Sequence, residues 1–365
     1  MNIRTFWRTE WALVVAAATT VLFLMFGGAW LADLSGVRFA LLLSWLMTAI
    51  LMAAMAVVRH AEALAERLGE PRGALVLTLA MSGMEMLMIS AVIYAGKGTP
   101  VLARDTMLAI VMIVLNGLVG TSLLLGGLRY HEQTYNLYSA NAFLSVLLPL
   151  SVLGLVLPRF TRSSEGATFS TLQSLLLIVM SVGLYGVFLA IQTRRHRDYF
   201  VAPAETVADG HGSDTEGGRA RHGILLLAYV VPIVILSKQI AVPINYGINV
   251  LGAPAALGGL LVAVLILSPE SIAAVRAARA NQLQRSINLA LGTALSSISL
   301  TIPAVLAIGL VTGQQMVLGL DPAPMVMLLL TLGVSMVTFA LERTNVLQGA
   351  VHLLLFVAYL MLIFD

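Results

Sequence analysis

Apolar stretches of membrane length recur along this chain, separated by short breaks that hold most of its arginines. Eleven of them lie near residues 11–33, 38–58, 74–95, 106–127, 141–158, 171–193, 223–240, 253–275, 287–311, 324–341 and 347–364. About 20 apolar residues at 1.5 Å each cover the hydrocarbon core of a bilayer, and in lipid a helix satisfies its own backbone hydrogen bonds. The pattern predicts an all-α polytopic membrane protein of 11 transmembrane helices. The first stretch follows the polar MNIRTFWRTE. It is too long for a signal-peptide core and lacks a persuasive cleavage site, so residues 1–37 read as a retained anchor helix.

The breaks give the organisation. Residues 194–222 are rich in Gly, Ser, Asp and Glu and read as a flexible cytoplasmic linker. Within it, His211, Asp209, Asp214 and Glu216 are the types that bind divalent ions weakly, but a plain solvated linker is the stronger reading. The linker divides a first repeat, 38–193, from a second, 223–365. Each holds five stretches, and because five is odd the second repeat enters the membrane in the opposite sense, as in many secondary transporters. The segment His60 to Gly73 has helical periodicity and is expected along the inner interface.

Charge placement tests the count. With the N-terminus cytoplasmic, fifteen of the 21 basic residues fall in inside loops, among them Arg59, Arg67, Arg129, Arg195, Arg276, Arg279 and Arg343. The other six, Arg38, Lys97, Arg104, Arg159, Arg162 and Lys238, fall outside, the bias expected of a correct orientation. The expected setting is a cell membrane, crossed many times.

Composition narrows the chemistry. The chain has 365 residues, 59% hydrophobic and 11% charged, with a net charge of +3 and mean hydropathy +0.93. It contains no cysteine, so neither disulfides nor thiolate metal sites contribute. Its arginines belong to loops, which argues for topology and against nucleic-acid binding. The partners are the lipid bilayer and the transported ions, and a homo-oligomer is admissible.

Against this apolar background two carboxylates stand out. Glu270 follows Pro269 inside the eighth stretch, and an acidic group at the centre of a spanning helix costs about 3 kcal/mol. Pro269 removes one helical hydrogen bond and frees the Leu265 carbonyl, and free carbonyls beside a carboxylate suit a hard cation. Pro303 is a second expected helix break. Glu85, in the third stretch, opens a weaker copy of the same arrangement: acidic helix, short charged loop, polar helix. Setting Arg104 opposite Arg285 brings Asn116 opposite Ser297. Asn116, Thr293, Ser296, Ser297 and Ser299 are candidate oxygen ligands, with Ser82, Ser90 and Ser268 beside the glutamates. For any single serine, a bond back to the preceding turn is the commoner role.

Two buried carboxylates facing each other hold either a dication or protons, because desolvation and mutual repulsion both disfavour the charged forms. Such exclusive loading is proton-coupled antiport. No cofactor is needed, and Lys97 and Lys238 lie outside any phosphate-binding loop. His352 is a candidate proton relay, with a packing hydrogen bond as the more frequent role for such a residue. Glu342, Arg343 and Asn345 read as a local ion-pair group. Met81, Met84, Met86 and Met88 read as gap-fillers, and Gly117, Gly120, Gly126 and Gly127 as points of close helix approach. Two other functions compete: a passive channel, and an intramembrane hydrolase built on Ser335 with His352 as base.

LAERLGEP, SGMEM with Glu85, SPES with Glu270, GTALSSISLTIP and ERTNVLQGAVHLLLF resemble the calcium/proton exchanger family of the cation/calcium exchanger superfamily, over nearly the whole chain. The resemblance implies one essential glutamate per repeat, Glu85 and Glu270, and polar partners Asn116, Thr293 and Ser296. It implies a bacterial antiporter exporting Ca²⁺ for H⁺, with Na⁺ or K⁺ exchange as the alternative. Ser82-Gly83-Met84 replaces the family's Gly-Asn pair before the first glutamate, and Val111-Met112 its Gly-Ser pair, which leaves room for a monovalent cargo.

Overall fold

The computed structural model describes residues 9–69, 72–95, 101–164, 166–195, 199–200, 216–341 and 343–365. Its helices are α1 (Trp11–Ala32), α2 (Gly36–Leu68), α3 (Arg72–Ala95), α4 (Leu102–Val111), α5 (Val119–Tyr130), α6 (Leu137–Ser151), α7 (Thr171–Ala190), α8 (Glu216–Asn249), α9 (Ala255–Arg279), α10 (Leu283–Thr312), α11 (Pro322–Thr338) and α12 (Val346–Ile363). A π-helical segment, Met112–Leu118, joins α4 to α5 into one span. Among the described residues ten helices are long and apolar enough to cross a membrane, and α11 is a shorter apolar helix. Together they are the eleven segments of the hydropathy pattern.

Helix ends follow local chemistry. Asn136 caps α6 by accepting from Tyr138 and Ser139 N–H. Ser170 with Gln173, and Asn345 with Gln348, form capping boxes at α7 and α12. The segment expected along the interface continues α2 instead. The helix runs unbroken through His60 and stops at Gly69, whose φ of 61° suits glycine. Likewise α8 begins at Glu216, inside the expected linker; His211, Asp209 and Asp214 lie outside the described residues.

The chain divides into two units. In the first, α8 packs on α1, α2 and α3, and α2 packs on α1 and α3. In the second, α9 packs on α4 and α5, α10 on α6, α7 and α9, and α12 on α5. The expected glycine contacts are seen at Gly120 and Gly127: a Cβ at Gly120 would lie 3.0 Å from the His352 Cβ, and one at Gly127 2.9 Å from the Val346 backbone N.

Inside the second unit the ends of the spans sort as an alternating count requires. At one end, Tyr130 OH donates to the Arg279 carbonyl at 3.0 Å and Gln133 Nε2 to Asn281 Oδ1 at 2.8 Å. There β1 (Gln133–Thr134) pairs antiparallel with β2 (Arg343–Thr344). At the other end Arg104 meets Asp321 at 3.2 Å, Arg159 meets Asp321 at 3.4 Å, and Gly319 N–H donates to the Ala167 carbonyl. Loops after the fourth, eighth and tenth spans share one end; the start of the fourth span and the loops after the fifth and ninth share the opposite end. One span more or fewer between them would scramble this sorting.

Candidate ion site

The residues singled out by sequence fall in both units. Glu85 belongs to α3 of the first unit and is buried, as are Ser82, Met84 and Met88. Met81 and Met86 are half-buried on the same helix. The methionines are thus spread around α3, as gap-filling side chains are.

The second unit holds the rest. Its centre is the π-helical segment carrying Asn116, which touches α9, α10, α11 and α12. A π-bulge re-aims one side chain within a helix and recurs at functional positions. Asn116 is fully buried and its amide is held at both ends. Nδ2 donates to Thr331 Oγ1 at 2.8 Å, and Oδ1 lies 3.1 Å from His352 Nδ1. Since Oδ1 only accepts, His352 carries its proton on Nδ1. His352 Nε2 then accepts from Thr338 Oγ1 at 3.0 Å. Both ring nitrogens are therefore occupied, and the Ser335–His352 pair that a hydrolase needs is not formed. Thr331 and Thr338 were missed from sequence, although each is a hydroxyl inside an apolar run, the signal that singled out Thr293 and Ser296.

Glu270 lies on α9. Its Oε2 atom is buried and has no hydrogen-bond partner among the described residues, which fits a group that takes a ligand. The preceding Ser268 hydroxyl bonds back to the Val264 carbonyl at 2.5 Å. The break expected at Pro269 amounts to one missing bond: α9 continues through it, as α10 continues through Pro303. Neighbouring turns hold each helix together on both sides of the ring, and only the carbonyls of Leu265 and Ser299 lose their helical donors.

On α10 the Thr293 carbonyl accepts from Ser296 Oγ at 3.1 Å and from Ser297 Oγ at 2.7 Å. A hydroxyl that donates backward in this way keeps lone pairs for a cation. The expected local group at Arg343 is rearranged. Arg343 pairs with Glu132 at 3.3 Å across the β1–β2 ladder, Asn345 caps α12, and Glu342 lies outside the described residues, as does Lys97.

The chain belongs to the sodium/calcium exchanger protein family, which matches residues 38–194 and 222–364. It is a multi-pass membrane protein. It is 42% identical over 319 residues to the sodium-potassium/proton antiporter ChaA of Escherichia coli (strain K12), covering 86% of each chain. It is 26% identical over 251 residues to a Ca²⁺/H⁺ antiporter of Aphanothece halophytica, covering 64% of this chain and 66% of that one. The solved structure of native YfkE shares the fold, with a TM-score of 0.72 at 19% identity, over 97% of this chain and 99% of that one.

Proposed function

We propose that this protein is a secondary cation/proton antiporter that carries Ca²⁺ outward in exchange for H⁺, with Glu85 and Glu270 as the shared site for cation and proton. The observation that carries the proposal is Glu270: a carboxylate inside a membrane-length helix, next to a proline, with a buried oxygen that no donor among the described residues satisfies. Glu85, buried on α3, is the corresponding group of the first repeat. The family membership and the antiporters among the relatives support the same reading.

In this proposal the repeats 38–193 and 223–365 are inverted about the membrane plane, with the N-terminus cytoplasmic and the protein in the bacterial inner membrane. Alternating access exposes the glutamates to one side at a time. A dication neutralises both carboxylates, two protons do the same, and either form crosses with little net charge. Asn116, Thr293 and Ser296 supply neutral oxygens, and the Leu265 carbonyl freed by Pro269 adds an acceptor on α9. His352 acts on the site through the Asn116 amide.

A second reading, Na⁺ or K⁺ exchanged for H⁺ at the same glutamates, is favoured by the 42% identity to the sodium-potassium/proton antiporter. One experiment tests both. Inverted membrane vesicles with a preformed pH gradient receive Ca²⁺, Na⁺ or K⁺, with wild type, Glu85→Gln and Glu270→Gln compared. Gradient collapse by Ca²⁺ that both variants abolish supports the first reading; collapse by Na⁺ or K⁺ alone selects the second. Activity surviving in either variant rules out the two-carboxylate site.

A further inference from the structure

A cluster in the first unit lies outside the transport residues. Glu10, just before α1, is buried. Its Oε2 atom meets Arg59 Nη2 at 2.7 Å, Tyr229 OH at 3.0 Å and His60 Nε2 at 3.1 Å. Arg221 stands 3.8 Å from Oε1. His60 Nδ1 in turn lies 2.9 Å from Nδ1 of His222. The chain from Glu10 to His60 to His222 joins the start of α1 to α2 and α8.

Proton counting constrains it. Burial pushes the Glu10 carboxyl pKa up, but the hydrogen bonds from His60 and Tyr229 and the Arg59 charge outweigh this and hold it below its ordinary value. Glu10 is therefore the acceptor, and His60 Nε2 carries a hydrogen. The two Nδ1 atoms then share one hydrogen: either His222 donates to neutral His60, or cationic His60 donates to neutral His222. The bond survives with no extra proton or one. A second would put N–H against N–H at 2.9 Å.

The surrounding charges oppose that second proton. Glu10 from the start of α1, Arg59 and Arg67 from α2, and Arg221 with Tyr229 from α8 act on the pair. Three guanidinium groups thus face one carboxylate. Glu85 and Tyr94 of α3, the remaining helix of the unit, are not among the groups acting on either imidazole. Arg59 and Arg221 are half-exposed, so solvent protons reach the cluster.

We propose that His60 and His222 form a second proton-binding site, separate from the transport glutamates, which latches α2 to α8 when it holds at most one extra proton and releases them on taking the second. The released form binds more protons than the latched form, so falling pH favours release and rising pH favours the latch. Unpaired imidazoles titrate near pH 6.5; burial first, and then the guanidinium charges, hold both imidazoles below that value and delay release to lower pH.

The chain's lack of cysteine makes the test direct. Spin labels go on Glu62→Cys in α2 and Ala220→Cys in α8, both exposed positions beside the cluster, in full-length protein reconstituted in liposomes. We expect one distance at pH 8 and a second, longer population growing as pH falls to 5. With His222→Gln, whose amide bonds His60 without titrating, the distance should stay fixed. An unchanged distribution between pH 8 and pH 5 in the labelled parent overturns the proposal, as does a titration that persists in His222→Gln. The readout is a distance and not a flux, so the result stands whichever cation is carried.

Discussion

Ser181 donates its hydroxyl hydrogen to the Ser299 carbonyl at 2.9 Å, the same carbonyl that Pro303 deprives of its helical donor. The two residues lie on α7 and α10 and both are buried. A proline deep in a spanning helix is tolerated when a neighbouring helix supplies the missing hydrogen bond. Here a single serine does so.

Ser181→Ala should destabilise the protein by about 1–3 kcal/mol, the cost of an unsatisfied buried carbonyl. Pro303→Ala restores the helical donor, so adding it should shrink the loss. Thermal melting of the two single variants and the double variant in detergent measures the coupling. Additive losses would mean that Ser181 matters for another reason.

Glu270→Gln should abolish exchange and leave thermal stability equal or higher, because it removes a carboxylate whose Oε2 has no donor among the described residues. A carboxylate kept for folding would show the opposite sign: lower melting temperature with transport retained in the surviving fraction.

His352→Gln should keep most of the exchange, since an amide can still donate to Asn116 and accept from Thr338. His352→Ala leaves the Asn116 Oδ1 atom and the Thr338 hydroxyl without partners in a buried setting, so it should lose both stability and exchange. A folded His352→Gln protein with no flux in the vesicle assay would make the imidazole a proton carrier instead of a positioning group.

Asp105→Asn should destabilise the second unit by about 1.5–3 kcal/mol, the loss of a hydrogen bond to a charged group, since Arg104 keeps Asp321 as a partner at 3.2 Å. Arg104 Nε sits 2.9 Å from Asp105 Oδ1 and Arg104 Nη1 donates to the Gly319 carbonyl at 3.1 Å. Asp321→Asn, at a half-exposed partner, should cost much less. Melting temperatures of the two variants side by side test the contrast.

Glu10 gives a pH dependence with a definite sign. Its carboxyl pKa is lowered in the folded chain relative to 4.5, so its contribution is present above about pH 4.5 and lost as pH falls through the folded value. The stability advantage of wild type over Glu10→Gln should shrink on acidification below that pH. A constant difference would show that Glu10 acts by packing alone.

Much of the architecture was legible because lipid allows so few solutions. Hydropathy located all eleven spans, since a segment without water to bond must be helical, and the alternation of loop ends in the second unit matches the same count. Helix ends were less legible. The continuation of α2 through His60 and the start of α8 at Glu216 carry polar faces that hydropathy reads as loop, and packing between the two helices extends them beyond the apolar core. Asn116 and His352 stood out as costly polar groups in apolar runs, but their bond to each other joins residues 236 positions apart, and no local pattern encodes that. The prolines were read as helix breaks because sequence shows the missing N–H and not the neighbour, such as Ser181, that replaces it.

Sequence alone thus determined the class of protein, the number of spans and the two membrane carboxylates, because burial in lipid penalises each polar residue one at a time and leaves an unmistakable mark. Tertiary structure decided which polar groups satisfy one another: the Asn116–His352–Thr338 chain, the Ser181 bond beneath Pro303, and the His60–His222 contact. These are choices among equally permitted partners, settled by how helices pack and not by the composition of any one of them.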